Sequence, residues 1–334
     1  MDLSVIIVNY HGWNKLRECL DALASNESKK FVSEVIIVDN NSNDGIIDTF
    51  SRDFPGFRFI RNNINGGFAY GCNRGAGEAS GRYLLFLNPD TVAEGDVIPA
   101  LLEKANSNQG DFILSCRQTD EIGKESIACG QFIAPGRMTG PGRALNNLIR
   151  RISIHDKGEP GQNPSRPDWV SGSVIMISKD FFHRLGGFDE DFWMYFEDMD
   201  LCRRSRNHGG EILYFNDLSI QHKHGGSSRI NIHTTALTKA EVLISKHLYV
   251  SKHFSPGTRF WSQFWLVANN LISGIISAAA GIILFFEPRI YVRTYIFFRI
   301  AGYYAGALTR RSWISPRSVN STKQEIRKSK KPTG

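Results

Sequence analysis

Residues 83–87, Tyr-Leu-Leu-Phe-Leu, form a short, continuously apolar run that halts at Asn88-Pro89-Asp90. Such a run reads as a strand buried on both faces of a parallel sheet. Proline lacks the N–H that a ladder needs and drives its predecessor out of the helical region, so the strand ends there. Asp90 is thereby presented on a turn at the carboxyl end of a central strand, where open α/β sheets bind their ligands. A carboxylate at that place suits a divalent cation bridging two phosphates; the plainer alternative is a turn aspartate that caps the next helix.

The same punctuation recurs upstream. Residues 3–8 are apolar and β-branched and give way to Asn9-Tyr10-His11-Gly12, after which Trp13, Leu16, Leu20 and Leu23 fall at helical spacing over 13–24. Residues 34–38 end in Asp39-Asn40-Asn41-Ser42-Asn43-Asp44-Gly45. A third strand, 57–60, leads through a polar, glycine-rich stretch from Asn62 to Gly75 into another helix. Strand and helix alternating over short connections predict an α/β fold with a doubly wound, mostly parallel sheet and flanking helices. A nucleotide is the default ligand, but no G-x-G-x-x-G follows the first strand, which disfavours a dinucleotide cofactor. Asp39, ending the second strand, can accept hydrogen bonds from a base or from ribose hydroxyls, whereas Asp44 is the better cap for the following helix. Gly66, Gly67, Gly71 and Gly75 allow close approach of a ligand or tight helix packing.

Periodicity fades over 117–168, where Gly and Pro recur, and this stretch reads as a long loop beside the site. Order returns with a strand over 169–177, a short helix over 179–185, and then Phe188 to Arg204, in which acids are set among aromatics. Burying carboxylates is costly unless they are paired or functional. Glu197 and Asp198 open a helix, Asp200 and Arg203 are spaced to pair across a turn, and a carboxylate against aromatic walls becomes a general base. Helix-start acids that merely complement the dipole are the simpler reading for Glu197. Short strands at 211–215 and 218–220 lead to His222 and His224, a weak zinc signature that can still complete a cation pocket with Asp90.

Charge is unevenly placed. From residue 309 onward eight Lys/Arg face one acid, Glu325, which accounts for the net charge of +7 and argues against a nucleic-acid groove elsewhere. Cys19, Cys72, Cys116, Cys129 and Cys202 form no C-x-x-C pair, which suits a reducing compartment. The N-terminus carries no secretory-signal pattern. Residues 261–286 are uncharged, long enough to span a bilayer yet interrupted by Gln263, Asn269 and Asn270; 290–308 carry Arg293 and Arg299 among aromatics and suit a helix lying in the headgroup region. A single span would carry the basic tail outward, against the positive-inside rule, so a hairpin or two in-plane helices are favoured. The competing reading of 261–286 is a buried helix or a homodimer contact.

Taken together, Val8-Asn9-Tyr10, Val38-Asp39-Asn40-Asn41-Ser42, Asn65-Gly66-Gly67-Phe68-Ala69, Asn88-Pro89-Asp90, Phe196-Glu197-Asp198-Met199-Asp200 and His222 with Gly225-Gly226-Ser227-Ser228 resemble the inverting family 2 glycosyltransferases of GT-A fold. The resemblance covers 1–230 and is greatest to the bacterial rhamnosyltransferase branch. It implies a GT-A domain over 1–255 with an acceptor-side loop at 117–168, while the hydropathy and charge of the rest predict membrane-associating helices over 256–309 and a disordered basic tail over 310–334. Asn9, Tyr10, Asp39, Asn41, Asn65, Gly67, Asn73 and Asn88 would bind a nucleotide-sugar donor. Asp90, the last position of a D-x-D motif whose first is here Asn88, would hold Mg²⁺ or Mn²⁺ with His222 beside it. Asp198 would be the general base, supported by Glu197 and Asp200. The donor implied is dTDP-L-rhamnose, with UDP-hexoses open, and the acceptor a lipid-linked saccharide of bacterial surface polysaccharide at the cytoplasmic face of the inner membrane. A non-catalytic nucleotide-sugar-binding scaffold and a nucleotidyltransferase are the rivals from other classes.

Overall fold

The computed structural model describes residues 1–25, 33–135, 163–223, 232–283 and 288–321. The chain divides into two compact units, the first comprising Met1–Phe132, Gly158–Asp189 and Glu197–Ser227. Its strands are β1 (Leu3–Asn9), β2 (Ser33–Asp39), β3 (Arg58–Arg61), β4 (Tyr83–Leu87), β5 (Thr91–Val92), β6 (Phe112–Thr119), β7 (Cys129–Gly130), β8 (Trp169–Val170), β9 (Val174–Ser178) and β10 (Glu211–His222). Eight of them form one sheet in the order β3-β2-β1-β4-β9-β6-β10-β5. Only β9 and β5 run against the rest, so the sheet is mostly parallel, as the alternation of strands and helices predicts.

Alternate residues enter opposite cores. Leu3, Val5 and Ile7 of β1 and Leu85 and Leu87 of β4 pack on one face with Trp13, Leu16 and Leu20 of α1 (Trp13–Ser25). Ile6, Val8, Leu84 and Phe86 pack on the other with Ala69, Cys72 and Ala76 of α2 (Phe68–Glu78). That helix lies close to β1 because Gly71 and Gly75 carry no side chain. A Cβ at either would stand 2.6 Å from Val8 or 2.5 Å from Ile6, so these glycines serve helix packing and not a ligand.

Three local expectations change. Residues 169–177 are not one strand: the chain turns at Ser171-Gly172-Ser173, with Val174 N donating to Ser171 O, so β8 pairs with β7 and β9 enters the main sheet. Residues 211–215 and 218–220 are one strand, β10, with an irregularity where its pairing with β6 jumps from Phe215 to Ser219. The stretch expected as loop from 117 begins inside β6, and its residues 136–162 lie outside the described residues.

The second unit comprises Ile133–Lys157, Glu190–Phe196 and Ser228–Gly334. Its helices are α3 (Ile232–His253), α4 (Pro256–Ile283) and α5 (Pro288–Arg310). Ala240 and Ile244 of α3 form a core with Ile300, Tyr303, Tyr304 and Ala307 of α5. One face of α4 is docked through polar contacts: Gln263 Nε2 donates to His247 O at 2.8 Å and Asn270 Nδ2 donates to the Tyr304 hydroxyl at 2.8 Å. Its other face exposes Phe260, Trp261, Phe264, Trp265, Ile272, Ile275 and Ile276. By length and composition Pro256–Ala280 is apolar enough to cross a membrane, yet only 17% of its most apolar window is buried, so it is not a core helix. Residues 311–321 are packed, with Ser315, Ser318, Val319 and Ser321 buried; the remainder of the expected tail, and His224, lie outside the described residues.

Candidate active site

The carboxyl ends of the parallel strands gather the polar residues. Asn9 and Asp39 are register partners across β1 and β2. Asn9 is fully buried and its Oδ1 accepts from Gly12 N at 3.1 Å, so it shapes the turn after β1. Asp39 accepts from the Ser42 hydroxyl at 2.5 Å and the Ser42 amide at 3.2 Å. Burial raises its carboxyl above the ordinary range, and the two Ser42 donors pull it back. Asn40 braces the neighbouring loop, donating to Asn65 Oδ1 at 3.1 Å and Gly67 O at 2.9 Å. Tyr10 is exposed and edges against His11. His11 and Asn41 hold φ of 54° and 67°, a left-handed geometry that non-glycine residues adopt rarely and mostly at functional turns.

Asp90 is set by the register of the last strand pair. The antiparallel pairing of β5 with β10 puts His222 opposite Thr91, and Lys223 N donates to Asp90 O at 2.8 Å. His222 Nε2 then lies 3.1 Å from Asp90 Oδ1 and its Nδ1 lies 2.9 Å from Gln118 Oε1. The Gln118 oxygen also accepts from the Ser173 hydroxyl at 2.7 Å. A His222 proton on Nδ1 meets the Gln118 oxygen and leaves the Nε2 lone pair toward the Asp90 carboxylate, whereas a proton on Nε2 is donated to Asp90. Two lone pairs at that separation repel unless a proton or a cation lies between them. Two adjacent ligands of an octahedral Mg²⁺ stand about 3.0 Å apart, given metal–oxygen distances of ~2.1 Å. The donor pair therefore fits a divalent ion. Among the described residues no group of three His, Cys, Asp or Glu gathers, so Asp90 and His222 are the residues that would hold such an ion.

Asp198 belongs to the helix Glu197–Asn207. Its Oδ2 accepts from Gly172 N at 2.9 Å and its Oδ1 from Met199 N at 2.7 Å. Gly172 is there for space: a Cβ would stand 3.3 Å from Phe68 and 3.4 Å from Asp198 Cβ. Burial raises the Asp198 carboxyl while these amides lower it. Glu197 is pushed up much further, first by burial and then by Asp198, and its buried Oε2 has no hydrogen-bond partner. Of the pair, Asp198 has the hydrogen-bond donors and keeps partial exposure, so it holds a negative charge more readily than Glu197. Tyr195 and Phe196, just before the helix, both hold φ of 69°.

The turn 171–173 ties the two carboxylates to one sheet edge. Gly172 N holds Asp198, Ser173 O accepts from Asn88 N at 3.0 Å, and the Ser173 hydroxyl reaches Gln118 and hence His222 and Asp90. Two sequence-predicted residues point elsewhere. Asn73 uses both ends of its amide on the Phe188 backbone, at 2.8 and 2.9 Å. Asp200 is buried and pairs with Arg204, not with Arg203, because Arg203 sits over the Phe132 ring on another side of the helix. Gln118, Ser171, Gly172 and Ser173 were not anticipated as site residues; a polar Ser-Gly-Ser break inside an apolar strand was their available signal.

Residues 4–158 match the family model described as glycosyl transferase family 2, and 163–224 match that described as the N-terminal domain of galactosyltransferase. Over 262 residues the chain is 26% identical to an N-acetylglucosaminyl-diphospho-decaprenol L-rhamnosyltransferase of Mycobacterium tuberculosis (strain CDC 1551 / Oshkosh), covering 73% of this chain and 81% of that protein. It is 25% identical over 225 residues to rhamnosyltransferase WbbL of Escherichia coli (strain K12), covering 63% and 79%. Among solved structures it resembles the mannosyltransferase PcManGT from Pyrobaculum calidifontis in complex with GDP-Man and Mn²⁺, with a TM-score of 0.51 at 15% identity, covering 90% of this chain and 85% of that one.

Proposed function

Because the chain carries a family 2 glycosyltransferase domain and resembles the rhamnosyltransferase branch, we propose that it transfers L-rhamnose from dTDP-L-rhamnose, with inversion, to a hydroxyl of a lipid-linked saccharide. The single observation that carries the reading is the 171–173 turn, which joins Asp198 through Gly172 N to the Asp90–His222 pair through Ser173 and Gln118. Asp90 and His222 would hold Mg²⁺ or Mn²⁺, which supplies charge neutralisation for the departing diphosphate. Asp39 contacts the nucleoside, with Tyr10, Asn41, Asn65, Gly67 and Asn88 around the donor. Asp198 takes the proton of the acceptor hydroxyl as its oxygen bonds to the anomeric carbon; the bond from that carbon to the diphosphate breaks on the opposite side and the nucleoside diphosphate leaves. Asp198 holds the charge more readily than Glu197, and the Asp200–Arg204 pair fixes the helix that carries both.

An exposed apolar helix face favours a lipid-linked acceptor. The exposed aromatic and aliphatic face of α4, opposite a docked polar face, suits a helix lying in the interface at the cytoplasmic side of the bacterial inner membrane. A UDP-hexose donor is the second reading, favoured by the match of 163–224 to a galactosyltransferase model. A donor panel assayed by nucleoside-diphosphate release with a lipid-linked acceptor, followed by NMR of the product's anomeric configuration, separates the two. Retention of configuration would reject the single displacement.

A further inference from the structure

We propose that a cleft in the second unit binds the phosphate group of a membrane amphiphile. The cleft has a volume of about 160 Å³ and is lined by Glu241 of α3, by Arg299, Tyr303 and Arg310 of α5, and by Arg317 just beyond it. That is room for roughly five waters or one phosphate group. Three guanidinium groups face one carboxylate there. Arg310 Nη2 is buried without a hydrogen-bond partner, an expensive arrangement for a charged donor unless an acceptor arrives from outside. Arg299 is exposed and its contact is with Tyr295, whose hydroxyl lies 3.4 Å from Nη1. Arg317 stacks over the Trp193 ring, 4.2 Å from its centroid, which holds its guanidinium at the cleft wall.

The opposing charge is the weaker. Glu241 Oε2 accepts from the Ser315 hydroxyl at 2.9 Å; burial raises its carboxyl above the ordinary range, while Ser315 and the Arg317 and Arg299 charges pull it back, so the single carboxylate is outnumbered by the guanidinium groups around it. Planar guanidinium forks match phosphate oxygens two at a time. An amphiphile rather than a soluble phosphate is indicated by the same unit's apolar exposure: Phe298 adjoins Arg299 on α5, and α4 presents Trp261, Phe264 and Trp265. Such a site would register the protein on a phosphate-bearing lipid, and it stands whether or not the glycosyl-transfer reading holds.

The test is calorimetry on the full chain with dioctanoyl phosphatidic acid below its micelle concentration, dioctanoyl phosphatidylcholine and sodium phosphate. Phosphatidic acid should bind the wild type, with the other two at least about tenfold weaker. Arg310→Gln and Arg299→Gln should each weaken it roughly tenfold, the worth of one charge-assisted contact, with circular dichroism confirming the fold. Absence of binding to the wild type, equal binding of sodium phosphate, or folded variants with unchanged affinity would each overturn the proposal.

Discussion

Replacing Gln118 tests whether the contact chain between the two carboxylates functions as one device. Gln118, Ser173 and His222 are exposed by only 1%, 2% and 6%, and the Gln118 oxygen is the shared acceptor for both partners. Gln118→Leu leaves two buried donors without it, and a stranded buried donor costs about 1–3 kcal/mol. Ser173 retains Ser171 Oγ at 2.9 Å, so the loss should fall at the lower end, about 2–4 kcal/mol in total. That is tolerable for a domain whose stability is of order 5–15 kcal/mol. His222 also loses its Nδ1 contact, and removal of such an outer partner lowers metal affinity by about 10–100-fold. Gln118→Glu keeps the acceptor and should restore both properties. Calorimetric titration of Mn²⁺ with nucleoside diphosphate present, alongside urea denaturation, reads the two effects. A Leu variant with wild-type stability and wild-type Mn²⁺ affinity would refute the reasoning.

Gly172→Ala forces a methyl between Phe68 and Asp198 at 3.3–3.4 Å without backbone strain; kcat should fall by about tenfold, since sub-ångström misplacement of a reacting group is costly, while the urea midpoint changes little. Glu197 has its folded carboxyl raised well above the ordinary value, so its stabilising contribution is complete below that value and is lost as pH rises through the folded one. Glu197→Gln should therefore flatten the decline of melting temperature with rising pH, and an unchanged decline would show that Glu197 is not the group responsible. Trp261 and Trp265 are 60% and 53% exposed; the double change to Ser should weaken flotation with anionic vesicles by about tenfold or more, and carbonate should release the wild type if α4 lies in the interface and does not span.

Much of this arrangement was legible in the residues. The stop at Asn88-Pro89 placed Asp90 at a strand end, and two-sided burial of residues 83–87 followed from their apolar continuity. The Asp90–His222 contact depends on the two-residue strand β5, too short to carry a periodic signal, so its register is a tertiary fact. Gln118 was hidden because it closes a strand inside a stretch whose later glycines and prolines read as loop. The Ser171–Ser173 break was hidden because Trp169, Val170 and Val174 onward are apolar enough to look continuous. Arg203 and Arg204 are both within reach of Asp200 by spacing; the aromatic ring of Phe132, distant in sequence, decides between them.

The central claim is that Asp198 is the base for a transfer in which Asp90 and His222 secure the donor's diphosphate. Its most direct measurement compares Asp198→Asn with wild type in two readouts: turnover by nucleoside-diphosphate release with acceptor, and donor affinity by calorimetry with Mn²⁺. Loss of the base should lower kcat by about 10²–10⁴-fold while donor affinity stays within a few-fold. Turnover near the wild-type rate, or donor affinity collapsing in step with kcat, would contradict the account.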